Sequence, residues 1–283
     1  MNKIIILIFF LINTLWANIG TNEDLKVLKE LGLESSFLSD SEVINIYNEY
    51  SSKNKINYYR NVLKKSSLNA QIVRTEIENE NLHEATFFIP MIESSFVNQT
   101  RGKNSPGGLW QIIPDTAKHL KLRNDEFIDE RLDLIKSTDA ASSYLKRYYK
   151  KFDNKWYLSI LAYNCGEGRV IEAITRASLD RYLELNPNRT SGILRSFQRT
   201  LDDYKRTKRG ISDLYTIYGE LQGMEIPFDF AYLIKNNKQK QYLPESTLSY
   251  IKKIIIFSIL SNRNLFDDIR KSPYQLEKVK LSK

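Results

Sequence analysis

Apolar residues recur three and four positions apart along most of the chain, which is the spacing of one face of an α-helix. Stripes of this kind run through residues 41–64, 82–93, 141–152 and 156–174. No stretch alternates apolar and polar residues for long enough to favour a β-strand. The pattern therefore predicts a mainly α fold, in which one helix ends near Glu93.

Two interruptions divide the helical pattern. Residues 95–111 are rich in glycine and polar residues and predict a loop, after which Pro114 suits the first turn of a new helix. Further along the chain, Gly166 and Gly168 stop the apolar helix that runs from Trp156 to Tyr163. The apolar segment around Phe257 is too short to span a bilayer, so we predict that it is a buried helix.

The first 17 residues predict a secretory signal peptide. Lys3 is followed by a long apolar run, and Ala17 is a small residue suited to a cleavage position. An uncleaved membrane anchor is the alternative, because Leu15 and Trp16 fit a cleavage site poorly. We expect an exported protein of the periplasm and cell envelope, held at the membrane if the signal is not cleaved.

The composition narrows the chemistry. The chain is basic, with a formal net charge of +8 at pH 7 and a sequence pI near 9.2, and such proteins are attracted to polyanions. Cys165 is the single cysteine, and His83 and His119 are the two histidines. An internal disulfide is therefore excluded and a zinc site is disfavoured. We expect no metal and no cofactor, and catalysis by carboxylates.

Glu93 is a carboxylate in an otherwise apolar run, FFIPMIESSF at residues 87–96. It either lies at the edge of a buried helix and points outward, or it is an acid that the chain buries. Apolar neighbours such as Phe88 and Phe96 disfavour the charged form and raise the pKa of a carboxyl. A general acid needs this, because a solvated glutamate loses its proton near pH 4.3.

Four stretches occur in a characteristic order: IESSF, GGLWQIIPDTA, LAYNCGEGRV and LPESTLSYIKKI. Together they closely resemble the lytic transglycosylases of the goose-type lysozyme (SLT-domain) superfamily, nearest to the membrane-bound lytic murein transglycosylase D type. The resemblance covers roughly residues 80–175 and 242–260.

The resemblance implies a lysozyme-like α-helical catalytic domain with helical N-terminal and inserted segments. It implies a groove for peptidoglycan glycan strands and cleavage of the β-1,4 bond between N-acetylmuramic acid and N-acetylglucosamine, with formation of a 1,6-anhydro end. By motif position, Glu93 matches the single general acid and base. Four residues match positions that line the groove: Gln111, Tyr163, Asn164 and Tyr250.

We divide the chain into five parts. After the signal peptide at residues 1–17, residues 18–79 form a helical N-terminal region and residues 80–175 form the transglycosylase core. Residues 176–240 form a basic helical insertion, and residues 241–283 supply a helix that completes the core and a tail.

The insertion has an excess of positive charge. Between Arg189 and Arg209 it has 7 basic residues against 2 acidic ones. It is either an ordinary solvated helix face or a contact surface for an anionic wall polymer or membrane face.

Two other functions stay open. A hydrolytic muramidase would pass the sugar to water and would need a second carboxylate, for which Glu167 is the nearest candidate. A non-catalytic wall scaffold would only bind glycan, and the joint presence of Glu93 and Gln111 with Tyr163 and Asn164 argues against it. We expect no nucleic-acid partner, and the sequence identifies no protein partner.

Overall fold

The computed structural model describes residues 19–188, 191–224 and 228–266, so the predicted signal peptide lies outside the described residues. Within these ranges the chain forms thirteen α-helices and no β-strand, which confirms the mainly α prediction. The helices are α1 Asn22–Leu31, α2 Ser41–Tyr50, α3 Lys53–Lys65, α4 Ser67–Asn79, α5 Phe88–Ser94, α6 Pro114–His119, α7 Leu134–Lys151, α8 Trp156–Cys165, α9 Glu167–Leu185, α10 Gly192–Thr207, α11 Ile211–Gly223, α12 Phe230–Lys240 and α13 Glu245–Asn262.

Two apolar helices form the centre of the fold. α13 packs against α1, α2, α5 and α8, and α8 packs against α7 and α9. Ile254, Phe257 and Ile259 of α13 and Leu158 and Leu161 of α8 are all completely buried. Full burial of one such side chain stabilises the fold by about 1.5–3 kcal/mol. The buried helix predicted around Phe257 is confirmed, and no helix within the described ranges combines the length and hydropathy needed to cross a bilayer.

The N-terminal helices fix α13 by ion pairs. The buried Lys252 ammonium lies 3.2 Å from Asp40 and 2.5 Å from Glu42 at the start of α2. Further along, the Arg263 guanidinium lies 2.5 Å from the buried carboxylate of Asp24 in α1. Buried charges of this kind are tolerated because each has its partner. They set the position of α13 relative to the rest of the fold.

The apolar stripe from Leu82 to Glu93 predicts one helix that Pro90 kinks or ends, but the structure has two separate elements there. A 3₁₀ turn spans Glu84–Phe87, and α5 begins afresh at Phe88. Pro90 is the reason, because it has no N–H to donate to the carbonyl of Thr86 in a continuous helix. In the first turn of a separate helix this N–H is not needed. The predicted end near Glu93 is confirmed.

The insertion packs on the core through α9, which continues past residue 176 without a break. Gly168 has no room for a side chain, since a Cβ there would lie 2.3 Å from the Tyr204 hydroxyl of α10. Lys208 forms an ion pair with Glu172 at 3.0 Å. The division of the chain into five parts stays a prediction.

Candidate active site

Glu93 is the penultimate residue of α5, and the chain turns sharply directly after it. Ser95 and Phe96 have φ angles of 53° and 56°, in the left-handed region that side-chain-bearing residues rarely adopt. The turn buries Phe96 completely and leaves Glu93 half-buried at the edge of the apolar core. The carboxyl is therefore partly withdrawn from water rather than freely solvated.

Burial raises the pKa of the Glu93 carboxyl above its ordinary value of 4.5. The Tyr250 hydroxyl acts in the opposite direction and lowers that pKa, but burial outweighs it. Burial also raises the pKa values of Tyr163 and Tyr250 far above 10, and the charge of Glu93 adds to the effect. Both phenols therefore stay neutral over the whole range in which Glu93 titrates.

Tyr250 reaches this carboxyl from α13. Its side chain is 8% exposed, and its hydroxyl makes no well-formed hydrogen bond within the described part of the chain. The hydroxyl is close enough to Glu93 to shift both pKa values but lies outside good hydrogen-bond geometry. A buried hydroxyl without a firm partner is unfavourable, so Tyr250 retains hydrogen-bonding capacity for a ligand.

The loop after α5 returns beside Glu93. The hydroxyl of Ser94, next to Glu93, donates to the Leu109 carbonyl at 2.8 Å. The Tyr163 hydroxyl donates to the Trp110 carbonyl at 2.7 Å. Trp110 itself is fully buried and donates to the Thr138 hydroxyl at 2.9 Å, so its indole belongs to the core. These bonds attach the loop to both α5 and α8.

Gln111 and Asn164 occupy different environments. Gln111 follows Trp110 with a φ of 48°, and its side-chain amide donates to the Gly108 carbonyl at 2.8 Å. Asn164 is exposed on α8, and within the described residues its side chain makes no hydrogen bond to the other predicted site residues. The structure thus brings Glu93, Tyr163 and Tyr250 together, places Gln111 on the adjoining loop, and leaves Asn164 at the surface beside Tyr163.

Arg131 was not predicted as a site residue, yet it holds this loop. Its side chain is completely buried, and it donates to backbone carbonyls of the loop as well as to Asp129. In the sequence it stands among acids, as DERLD, which is typical of a solvated charge cluster. The order of the acids around a single arginine is the only signal, and it does not reveal the burial.

Glu167 is held in an ion-pair network. One carboxyl oxygen lies 2.5 Å from the Lys151 ammonium and accepts from the Tyr215 hydroxyl at 3.0 Å. The other lies 3.4 Å from the Arg147 guanidinium. Burial alone would raise the pKa of Glu167, but the hydrogen bonds from Lys151 and Tyr215 and both positive charges bring it below its ordinary value. Glu167 is therefore a structural anion.

Other polar groups near the motifs have simpler environments. Asp115 is exposed in the first turn of α6, where a carboxylate favours the positive end of the helix. Cys165 is a half-buried free thiol, and burial raises its pKa to about 11. Within the described ranges, no group of three or more His, Cys, Asp or Glu side chains is placed to hold a metal ion.

Parts of the chain are similar to known proteins, two of which are named as transglycosylases of murein or peptidoglycan. A segment of 100 residues is 39% identical to the membrane-bound lytic murein transglycosylase D of Escherichia coli (strain K12), covering 35% of this chain and 22% of that protein. A segment of 101 residues is 41% identical to a protein named for tributyltin chloride resistance from Alteromonas sp. (strain M-1), covering 36% and 49%. A longer segment of 169 residues is 32% identical to the peptidoglycan transglycosylase gp16 of Escherichia phage T7, covering 57% and 12%.

The chain thus spans at most about half the length of these relatives. Residues 72–183 match the profile of the Transglycosylase SLT domain. Within these residues, which include Glu93, the chain is therefore similar to the transglycosylase SLT domain family.

Proposed function

We propose that this protein is a peptidoglycan lytic transglycosylase that cleaves the β-1,4 bond between N-acetylmuramic acid and N-acetylglucosamine and leaves a 1,6-anhydromuramic acid end. One observation carries the proposal: Glu93 is half-buried, has a raised pKa and interacts with two neutral phenols, within the residues that match the Transglycosylase SLT domain. The names of two relatives, a lytic murein transglycosylase and a peptidoglycan transglycosylase, support the substrate class.

Glu93 acts first as an acid and then as a base. Its protonated carboxyl gives a proton to the glycosidic oxygen as the bond between that oxygen and C1 of N-acetylmuramic acid breaks. The N-acetylglucosamine leaves with that proton, and both C1 and C6 are atoms of the N-acetylmuramic acid. The carboxylate then accepts the proton of the C6 hydroxyl while the C6 oxygen attacks C1 and closes the anhydro ring. The carboxyl ends protonated, as it began. No water is consumed, so one carboxyl suffices.

The neutral phenols suit this cycle. A positively charged residue beside Glu93 would lower its pKa and favour the deprotonated carboxylate. A neutral phenol can donate a hydrogen bond without adding charge. The Tyr250 hydroxyl has capacity for a sugar oxygen, and the Tyr163 hydroxyl braces the loop through the Trp110 carbonyl. Gln111, on the adjoining loop, and the exposed Asn164, next to Tyr163 in the chain, are proposed as further contacts to the glycan.

A hydrolytic muramidase is the second candidate, and the surroundings of Glu167 argue against it. A carboxylate that directs water needs an accessible oxygen and freedom to accept a proton. Both oxygens of Glu167 are engaged by Lys151, Tyr215 and Arg147, and its pKa is held below the ordinary value. A non-catalytic scaffold would have no need of a carboxyl whose pKa is raised by burial.

The basic face of α10 is a separate part of the proposal. It consists of four exposed arginines on or just after α10: Arg195, Arg199, Arg206 and Arg209. The opposite side of the helix is buried through Leu194, Phe197 and Leu201, so the arginines point away from the core. We propose that this face holds the enzyme against an anionic wall polymer in the periplasm.

Digestion of purified peptidoglycan, followed by mass spectrometry of the fragments, tests the proposal. A transglycosylase yields ends that are one water lighter than the reducing ends left by a muramidase. Reducing ends alone would establish the hydrolytic alternative. Binding to sacculi without any fragment would establish the scaffold.

A further inference from the structure

Arg131 is a completely buried cation that binds one carboxylate and three carbonyls. Its guanidinium donates to both oxygens of Asp129, at 2.8 and 2.7 Å. It also donates to the carbonyls of Lys103, Ser105 and Ile112, at 3.3, 2.5 and 3.1 Å. The three carbonyls lie at both ends of residues 103–112, which we call the groove loop. One planar side chain therefore holds the two ends of this loop together.

The backbone of Arg131 also packs against the groove loop. A Cβ on Gly108 would lie 1.8 Å from the Arg131 carbonyl oxygen, and Gly108 has a φ of 76°. Both facts require glycine at this position. Across the loop, the N–H of Gly107 donates to the Ile112 carbonyl at 3.1 Å, and the N–H of Ile112 donates back at 3.0 Å. The Ile112 carbonyl thus accepts from both Gly107 and Arg131.

The groove loop is connected in turn to the site. Its Leu109 carbonyl accepts from Ser94, the neighbour of Glu93, and its Trp110 carbonyl accepts from Tyr163. Leu109 and Trp110 are both completely buried. A shift of the loop would therefore move the apolar wall beside Glu93 and release the Tyr163 hydroxyl.

We propose that Arg131 is a positioning residue, which fixes the groove loop against α5 and α8 and thereby keeps Glu93 out of water and Gln111 in place for the glycan. The proposal rests on the proposed function. Arg131 itself is buried beneath the loop and does not reach the reacting atoms. Its action is transmitted through the Leu109 and Trp110 carbonyls.

Lysine at position 131 separates this role from simple charge balance. An ammonium keeps the positive charge for Asp129 but has three donors at one point, so it cannot reach three separated carbonyls and a carboxylate together. In Arg131→Lys we expect kcat/KM to fall by up to on the order of 10²-fold, the effect of a displacement of about 1 Å in the site. Asp129→Asn keeps the Arg131 guanidinium but removes the negative charge that pairs with it. We expect a smaller loss of kcat/KM in this variant.

The titration of Glu93 gives a readout that does not depend on activity. Among the described residues, the titratable groups that interact with this carboxyl are Tyr250 from α13, which lowers its pKa, and Tyr163 from α8, whose own pKa it raises; both phenols stay neutral. Water that enters beside a loosened loop should lower the pKa of Glu93 towards 4.5. Carbon-13 NMR of labelled glutamate measures this directly in wild-type protein and in Arg131→Lys.

Arg123→Lys is the matched control, because Arg123 lies in the same segment between α6 and α7, is exposed, and its guanidinium pairs with the nearby Asp125 at 2.8 Å. Leu201→Ala, which truncates a buried side chain of α10, controls for a general loss of stability. The proposal stands if Arg131→Lys alone lowers the pKa of Glu93 and the rate per folded molecule. An unchanged pKa in a folded Arg131→Lys variant, or an equal shift in Leu201→Ala, overturns it. If wild-type protein gives no anhydro product, the proposed function fails while the titration still decides the role of Arg131.

Discussion

The Tyr250 hydroxyl lies against the Glu93 carboxyl, although the two residues belong to helices that are far apart in the sequence. Glu93 is the penultimate residue of α5, and Tyr250 is in the second turn of α13, the helix that the ion pairs of Lys252 and Arg263 hold against α2 and α1. The hydroxyl lowers the pKa of Glu93, and burial raises it. The proton affinity of the acid is therefore a balance between these two effects.

Removal of the hydroxyl should shift this balance. In Tyr250→Phe the pKa of Glu93 should rise further, because burial stays and the interaction that favours the carboxylate is lost. The decline of activity with increasing pH should move to higher pH. Loss of a hydrogen bond to the sugar should also lower kcat/KM by about tenfold, or ~1.4 kcal/mol. The pH dependence of kcat/KM measures both effects.

Tyr218→Phe is the control for this substitution, because Tyr218 is equally buried but lies in α11. It should leave the pH profile unchanged. A decline that moved to lower pH in Tyr250→Phe would contradict the assignment of the hydroxyl.

Glu93→Gln should nearly abolish cleavage. The amide has the shape of the carboxyl but no acidic proton, and general acid–base catalysis contributes roughly 10²–10⁴-fold. Binding to glycan should persist, because the fold and the tyrosines are untouched. Release of soluble fragments from purified peptidoglycan is the measurement.

Glu167→Gln is the matched control for Glu93→Gln. It removes a carboxylate that pairs with Lys151 and Arg147, so the product of this variant should still carry an anhydro end. More than about half of the wild-type rate in Glu93→Gln would refute the role of the acid. Loss of cleavage in both variants together with reducing ends in the wild type would favour the muramidase.

The same two carboxyls should affect stability with opposite signs. The pKa of Glu93 is raised in the folded state, so its stabilising contribution is full below about 4.5 and is lost as the pH rises through the raised value. The free energy of unfolding of Glu93→Gln should therefore increase relative to that of the wild type as the pH rises from 4 to 8. The pKa of Glu167 is lowered, so its contribution is present at neutral pH and is lost on acidification.

Urea denaturation of the two variants at several pH values tests this pair of signs. Glu167→Gln should be less stable than the wild type at pH 7, and the difference should shrink towards pH 3. Parallel curves for Glu93→Gln and wild type would mean that Glu93 is as solvated in the folded state as in the unfolded chain.

The helices and the position of the acid could be predicted because both are local properties of the sequence. Apolar stripes defined α7 and α8, and Pro114 marked the start of α6. Periodicity alone missed the break before Phe88, where the missing N–H of Pro90 decides the geometry.

The role of Arg131 could not be predicted, because its burial depends on contacts distant in sequence. The Lys103, Ser105 and Ile112 carbonyls, which precede it by up to 28 positions, accept three of the five hydrogen bonds that its side chain donates. An arginine beside Asp129 is, on sequence alone, an ordinary surface ion pair. Likewise, nothing in the sequence indicates that Lys252 is buried against Asp40.

The arginines of α10 should affect only the large substrate. Arg195 and Arg199 are exposed, whereas Arg206 pairs with Asp203, so part of the local charge is compensated. The remaining positive face should attract an anionic polymer at a range limited by screening, about 10 Å in 0.1 M salt. Binding to whole sacculi should therefore weaken as salt increases. Cosedimentation with sacculi at increasing salt measures this for the wild type and for the variant with glutamine at positions 195, 199, 206 and 209.

The variant should bind sacculi less tightly and with a smaller salt dependence, yet cleave short soluble glycan fragments at nearly the wild-type rate, because these reach Glu93 without the basic face. A charge-matched control removes four exposed lysines from the N-terminal helices: Lys26, Lys29, Lys64 and Lys65. Equal losses of binding to sacculi in the arginine variant and in the lysine control would mean that the effect comes from the net charge of the protein. Equal losses by the arginine variant on sacculi and on soluble fragments would mean that α10 shapes the groove or the fold, and no loss on either would make the face an ordinary solvated surface.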